Sequence, residues 1–279
     1  MKYKKILLFF GVTLPISVLL RTLEIFFTVE TDTGFFKNEY KTVGIYLLVL
    51  IIAVAASLAV ICFTGHRNPE QPPKTNPFMS AAAILVAFSI GAELYNESYS
   101  GTVMIWQLAL LMLTGIAAAV YFILYGVSGF VNFKLPALAS VLPVLYLVMR
   151  IICSFTSISS LALISDNVLL LAAYCLLLLF FLSFGKLYCG IGAENEFRKL
   201  MAWGLTATVL CFTQAVPHII INLATNNGYQ HTSNTANFSL LMFGVFAAAF
   251  VFSHFSASNT LEGGTQNGDV NENEKKEIP

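Results

Sequence analysis

In 279 residues this chain carries 57% hydrophobic and only 11% charged side chains, with a mean hydropathy of +0.76. A soluble globular protein carries roughly 25% charged residues, so a water-facing surface is excluded over most of the length and an all-α polytopic membrane protein is expected. Its 15 basic residues are balanced by 15 acidic ones, which leaves no basic field to attract nucleic acid.

A helix crossing ~30 Å of hydrocarbon needs about 20 mostly apolar residues. The first such stretch, 6–28, follows the basic start MKYKK and so resembles a signal peptide. No small-x-small site follows it, and the apolar run continues past Arg21 and Glu24 through Ile25, Phe26 and Phe27, so it reads as an uncleaved helix. Further stretches at 43–64, 78–96, 103–126, 136–156, 167–189, 200–222 and 237–257 bring the expected count to about eight, in a transmembrane domain spanning 1–257. The third is the shortest, and Glu97 to Thr102 forms a tight link to the fourth. Residues 258–279, rich in Gly, Asn and Glu without an apolar period, are expected to form a disordered cytoplasmic tail.

Basic residues test the orientation, because cytoplasmic segments collect Lys and Arg. With the N-terminus inside, eleven basic residues fall on the cytoplasmic side: Lys2, Lys4 and Lys5, Arg67 and Lys74, Lys134, Lys186, Arg198 and Lys199, Lys275 and Lys276. Only Lys37 and Lys41 fall outside, while Arg21 and Arg150 lie within helices. The asymmetry places both termini in the cytoplasm and the protein in the cytoplasmic membrane, with the lipid bilayer as its first partner.

Helices 4 and 8 carry similar strings, LLMLTGIAAAVYF at 110–122 and LLMFGVFAAAFVF at 240–252. Helices 1 and 5 both place Leu-Pro upstream of an arginine (LPISVLLR, 14–21; LPVLYLVMR, 142–150), and Glu93 in helix 3 aligns with His218 in helix 7. The offsets are 130, 129 and 125 residues. Apolar segments draw on a small alphabet and also align by chance. Three matches in one order at nearly one offset instead predict a parallel four-plus-four repeat, 1–129 and 130–257, about an axis along the membrane normal.

An ionisable side chain at mid-bilayer costs roughly 2.5–3.5 kcal/mol even on insertion scales, so its position is informative. Arg21 lies 15 residues after Ile6, Arg150 14 after Pro136, Glu93 15 after Phe78 and Gln214 14 after Leu200. At 1.5 Å per residue all four reach about 21–22 Å, in the outer half of the membrane. Helical spacing groups Arg21 with Glu24, Arg150 with Ser154 and Ser157, and Gln214 with His218 and Asn222, each along one side of its helix. Pro217 frees a backbone carbonyl near His218, and Ser165, Asp166 and Asn167 read as caps for helix 6. One reading is an outward-facing polar cavity of helices 1, 3, 5 and 7. Its arginines supply fixed positive charge, its glutamates act as partners or proton carriers, and a histidine supplies a group that changes charge near neutral pH. The other is that Arg21–Glu24 and Arg150–Glu93 are structural ion pairs.

Three motifs lead nowhere. Gly126-Val127-Ser128-Gly129 matches the GxSG of rhomboid intramembrane proteases, but Ser128 sits at the cytoplasmic end of helix 4 and His218 in the outer half of helix 7, and a nucleophile needs its base within ~3 Å. There is no HExxH, Walker loop or paired-glutamate motif. The five cysteines (Cys62, Cys153, Cys175, Cys189, Cys211) fall in or at the ends of apolar segments and read as packing residues rather than ligands or disulfides. No catalytic group, metal site or cofactor is therefore assigned.

RTLEIFFTVETDTGFF (21–36), LPVLYLVMRIICSFTSISSLALISDN (142–167) and FGKLYCGI (184–191) together resemble a group of polytopic membrane proteins from Firmicutes. The resemblance implies a bacterial membrane setting and no particular chemistry. The expected function is binding or transport of a small polar or anionic solute through the outer-facing cavity. The alternative is a sensor, scaffold or accessory subunit whose buried charges are structural, with an intramembrane enzyme as a third class.

Overall fold

The computed structural model describes residues 3–30, 36–64, 76–100, 104–131, 135–157, 165–191, 193–224 and 234–253. Eight helices result: α1 (Tyr3–Thr28), α2 (Lys41–Thr64), α3 (Pro77–Ser100), α4 (Ile105–Ser128), α5 (Leu142–Ser157), α6 (Ser165–Tyr188), α7 (Ala193–Ala224) and α8 (Asn234–Ser253). A 3-10 turn, Ala137–Val141, leads into α5. All eight are long and apolar enough to cross a bilayer once that turn is counted with α5, and the chain is a multi-pass helical membrane protein. The tail 258–279 lies outside the described residues.

Two boundaries differ from the expectation in a way that matters later. The third helix is not the shortest, because it continues through Ser100 and takes in Glu97. Polar residues Asn96, Glu97 and Ser98 ended the apolar stretch without ending the helix, since a side chain that finds a partner does not interrupt the backbone ladder. The seventh begins seven residues earlier than its apolar stretch, so that Glu196 and Lys199 form an ion pair at 2.7 Å within its first turns. Lys186, near the end of α6, approaches the same carboxylate at 3.9 Å.

Helix α7 is the most enclosed element, packed against α1, α2 and α6, while α1, α2, α4 and α5 turn most of their length outward. The outward surface is apolar (Leu8, Leu19, Phe26, Phe88, Leu113 and Ile116 are exposed), as lipid contact requires. The core between α4, α6 and α8 is aromatic. Phe122 meets Phe246 edge-on at 5.4 Å, Phe181 stacks on Phe246 at 5.8 Å, and Phe184 meets Phe250 at 5.1 Å; these separations are those of favourable offset and edge-to-face pairs.

Two glycines let neighbouring helices approach closely. A Cβ on Gly115 would stand 2.7 Å from Leu94, so α4 can lie close to α3; one on Gly244 would stand 2.9 Å from the Cβ of Cys211, so α8 can lie close to α7. Helix α6 packs along α7, and among the described residues α2 and α3 share no comparable interface.

Packing also accounts for the GxSG string. Ser128 donates back to the Tyr125 carbonyl at 2.7 Å, and Gly126 lies where a Cβ would be 2.9 Å from the backbone oxygen of Ser80. Gly126→Leu is expected to cost about 1–3 kcal/mol by overpacking. A thermal melt of detergent-purified protein checks this, with Gly91→Leu as the control because a Cβ at Gly91 meets open space.

Candidate functional site

Arg21, Glu93 and Arg150 each stand seven residues before the ends of their helices at Thr28, Ser100 and Ser157. They share a level about 10 Å from those ends. At that level a charge has no water to solvate it and needs a protein partner. Two groups of contacts satisfy this need, and they lie between different helices.

In the first group Arg21 bridges two carboxylates. Its Nη1 forms an ion pair with Glu24 Oε2 at 2.8 Å, one turn along α1, and its Nη2 donates to Asp166 Oδ1. Asp166 stands in the first turn of α6, where the exposed backbone N–H groups favour negative charge. The same Oδ1 faces His218 Nε2 of α7 at 2.9 Å, and Gln214 Nε2 faces that ring nitrogen at 3.3 Å. Arg21, Glu24, Gln214 and His218 are wholly buried and Asp166 is 1% exposed. Gln214 Oε1 and the Oγ of Ser17, one turn before Arg21, have no hydrogen-bond partner among the described residues. A small apolar cap of Ile25, Val29 and Ile221, with Phe36 against it, lies between this group and the adjacent helix ends.

The second group is built around Arg150. Its Nη2 pairs with Glu93 Oε1 at 2.5 Å and its Nη1 with Glu97 Oε1 at 2.8 Å. Its Nε donates to the Tyr174 hydroxyl at 3.4 Å, and the Tyr146 hydroxyl donates to Glu93 Oε2 at 2.8 Å. Helices α3, α5 and α6 therefore meet here. Beside it, Gln107 of α4 bonds Thr156 of α5 at 3.2 Å.

Both ion pairs expected from the sequence are present, Arg21–Glu24 and Arg150–Glu93. The expected grouping of helices 1, 3, 5 and 7 is not what forms. Helix α6 enters both groups, giving Asp166 to one and Tyr174 to the other, so the ionisable residues divide into α1–α6–α7 and α3–α5–α6 sets. Ser154 is half-buried one turn beyond Arg150, and the side chain of Ser157 falls outside the described residues. Asn222 bonds Asn234 of α8 through its amide and so ties α7 to α8.

Four participants escaped the sequence reading. Asp166 looked like a helix cap, Glu97 like a loop residue, and Tyr146 and Tyr174 like ordinary members of apolar runs. Hydroxyls at 146 and 174 carry no periodic signal, but Asp166 was legible as an acid at the same end of the bundle as Arg21.

Both groups join the two halves of the sequence: Arg21 of α1 meets Asp166 of α6 and, through it, His218 of α7, and Arg150 of α5 meets Glu93 of α3. Comparison with protein-family models, curated proteins and solved structures gives no match, so the functional reading stands on this geometry.

Proposed function

We propose that the protein binds and carries a small polar solute across a bacterial cytoplasmic membrane, at the end of the bundle where the two charged groups lie. That end is the outer one if the basic residues orient the chain with its termini inside. The carrying observation is the convergence of Arg21, Glu24, Asp166, Gln214 and His218 from three helices in full burial. Apolar side chains of similar volume would hold the helices at least as well, and ionisable groups inside a membrane ordinarily mark a pathway or relay.

A neutral or cationic solute fits better than an anionic one. Each guanidinium already faces two carboxylates, Glu24 and Asp166 or Glu93 and Glu97, and an anion would have to displace one. Because both groups join the two halves of the sequence, halves that rock against each other would break and remake both. On this reading the Ile25–Val29–Ile221 cap parts to admit solute.

Thiol labelling in a Cys-free background tests the reading. With Cys introduced in turn for Ser154, Ser157, Gln214 and Asn222, a membrane-impermeant reagent added outside is expected to modify several positions. Gln214→Cys should react slowest, because it lies behind the cap, and faster once Ile221→Ser thins it. Modification at none of the four would remove the pathway.

A second reading, a sensor or scaffold with structural charges, is favoured by the saturation of both arginines with carboxylates. It differs from the first in what happens when the charges are removed together.

A further inference from the structure

We propose that Ser17 and Gln214 form the solute site itself, a chamber between α1 and α7 that takes a neutral molecule bearing hydroxyl or amide groups. The two helices run side by side in one direction. Ile6 and Phe10 cluster with Met201 and Leu205 towards their starts, and Ile25 and Val29 cluster with Ile221 near their ends. Between Phe10 and Ile25 every buried residue of α1 is polar: Thr13, Ser17, Arg21 and Glu24. Spacings of four, four and three put them on one face, and α7 contributes buried Thr213, Gln214 and His218. The seam is polar in its middle and sealed by apolar side chains towards both faces of the membrane, as an enclosed site requires.

Within this seam two groups are left over. Ser17 stands eleven residues before Thr28 and Gln214 ten before Ala224, so both lie about 15–17 Å from those helix ends. Each is one turn deeper than a residue that reaches Asp166 Oδ1, Arg21 from α1 and His218 from α7, which sets the two at one level across the seam. Both are wholly buried, and Ser17 Oγ and Gln214 Oε1 have no hydrogen-bond partner among the described residues. Thr13 and Thr213, by contrast, donate back to carbonyls of their own helices at 3.1 and 2.7 Å. Turning the Gln214 amide over does not remove the deficit, because it only exchanges which amide atom faces His218. Helix α2, which packs on both, offers Ile51, Ala55 and Leu58 among its buried residues and no polar group. Buried polar atoms are ordinarily paired, so a hydroxyl and an amide left over at one level mark the seat of a hydrogen-bonding molecule.

The chemistry of the pair sets the class of ligand. A serine hydroxyl donates and accepts, a glutamine amide does the same, and neither carries a charge to balance an ion. The charged groups beside them are engaged with one another, Arg21 with Glu24 and Asp166, and Asp166 with His218. A neutral solute seated one turn deeper therefore displaces no carboxylate. Water and a solute hydroxyl share this chemistry, and they differ in whether an added solute stabilises the protein. As a step in transport the proposal rests on the solute-carrying reading; as a binding site it does not.

Thermal melts of the purified protein in detergent test it, with erythritol and acetamide as neutral probes and choline and acetate as charged ones. Ser17→Ala/Gln214→Leu is the reference, so that general effects of each solute on stability cancel in the difference between the two proteins. A neutral probe is expected to raise the melting temperature of the parent by about 2–4 °C more than that of the variant. Ser17→Ala alone should lose part of the same shift and carries the test if the double variant does not fold. Equal shifts of parent and variant with both neutral probes would overturn the proposal, water then being all that the pair holds. A differential shift with choline or acetate alone would also overturn it, and would leave the solute-carrying reading standing. Uptake of the bound neutral probe into proteoliposomes reads the carrying step separately. Binding with uptake no faster than into protein-free vesicles would refute transport and uphold the site.

Discussion

Arg21→Ala is expected to destabilise the protein by about 3–5 kcal/mol, the range for removing one partner from a buried ion pair, and so to leave little folded protein in the membrane. The guanidinium is wholly buried and holds both Glu24 and Asp166. Without it two carboxylates and one histidine remain in a region sealed by Ile25, Val29 and Ile221. The loss is electrostatic rather than steric, which gives the prediction its second arm. Arg21→Met combined with Glu24→Gln and Asp166→Asn removes the charges together and is expected to recover most of the folded protein, since neutral side chains of similar volume replace a buried network at little net cost. Fluorescence-detected gel filtration of membrane extracts measures both. If Arg21→Ala melts within about 1 kcal/mol of the parent, less than a buried pair is worth, the group is hydrated and the burial argument fails.

The recovered triple variant also separates the two functional readings. A structural charge network has done its work once the helices are held, so the variant should keep the thiol-labelling pattern of the parent at Ser154→Cys and Asn222→Cys. A solute site would leave a folded shell whose labelling no longer responds to added solute.

Depth was legible in the sequence and lateral position was not. Counting residues along each apolar stretch put Arg21, Glu93, Arg150 and Gln214 on one level, and the helices do present the first three equally far from their ends. The rise per residue fixes that coordinate for any helix. Which helices touch depends on packing that apolar stretches of similar composition do not encode, and the small-residue contacts at Gly115 and Gly244 decide it locally. Asp166 shows the limit most clearly. Its place at the start of a helix has a sufficient local explanation as a cap, and only the approach of α1 and α7 reveals that its carboxylate is spent on Arg21 and His218. Glu97 was missed for a different reason, because a polar run was taken for the end of a helix that an ion pair allows to continue.

The two carboxylates that face Arg150 are not equivalent, and unequal effects follow. Arg150→Ala is expected to cost about 3–5 kcal/mol, because Glu93 is 2% exposed and loses its cation while keeping the Tyr146 hydroxyl. Glu97→Gln should cost less than about 1 kcal/mol or stabilise slightly. Its side chain is 13% exposed at the rim of the group, and neutralising it leaves Arg150 and Glu93 as a balanced pair with their hydrogen bonds to Tyr174 and Tyr146 intact. Glu93→Gln falls between, since its amide oxygen can still accept from Tyr146 but the deeper charge is gone. Thermal melts of the three variants and of Arg150→Ala/Glu97→Gln give the coupling directly. A Glu97→Gln penalty as large as that of Arg150→Ala would mean that both carboxylates are required as anions.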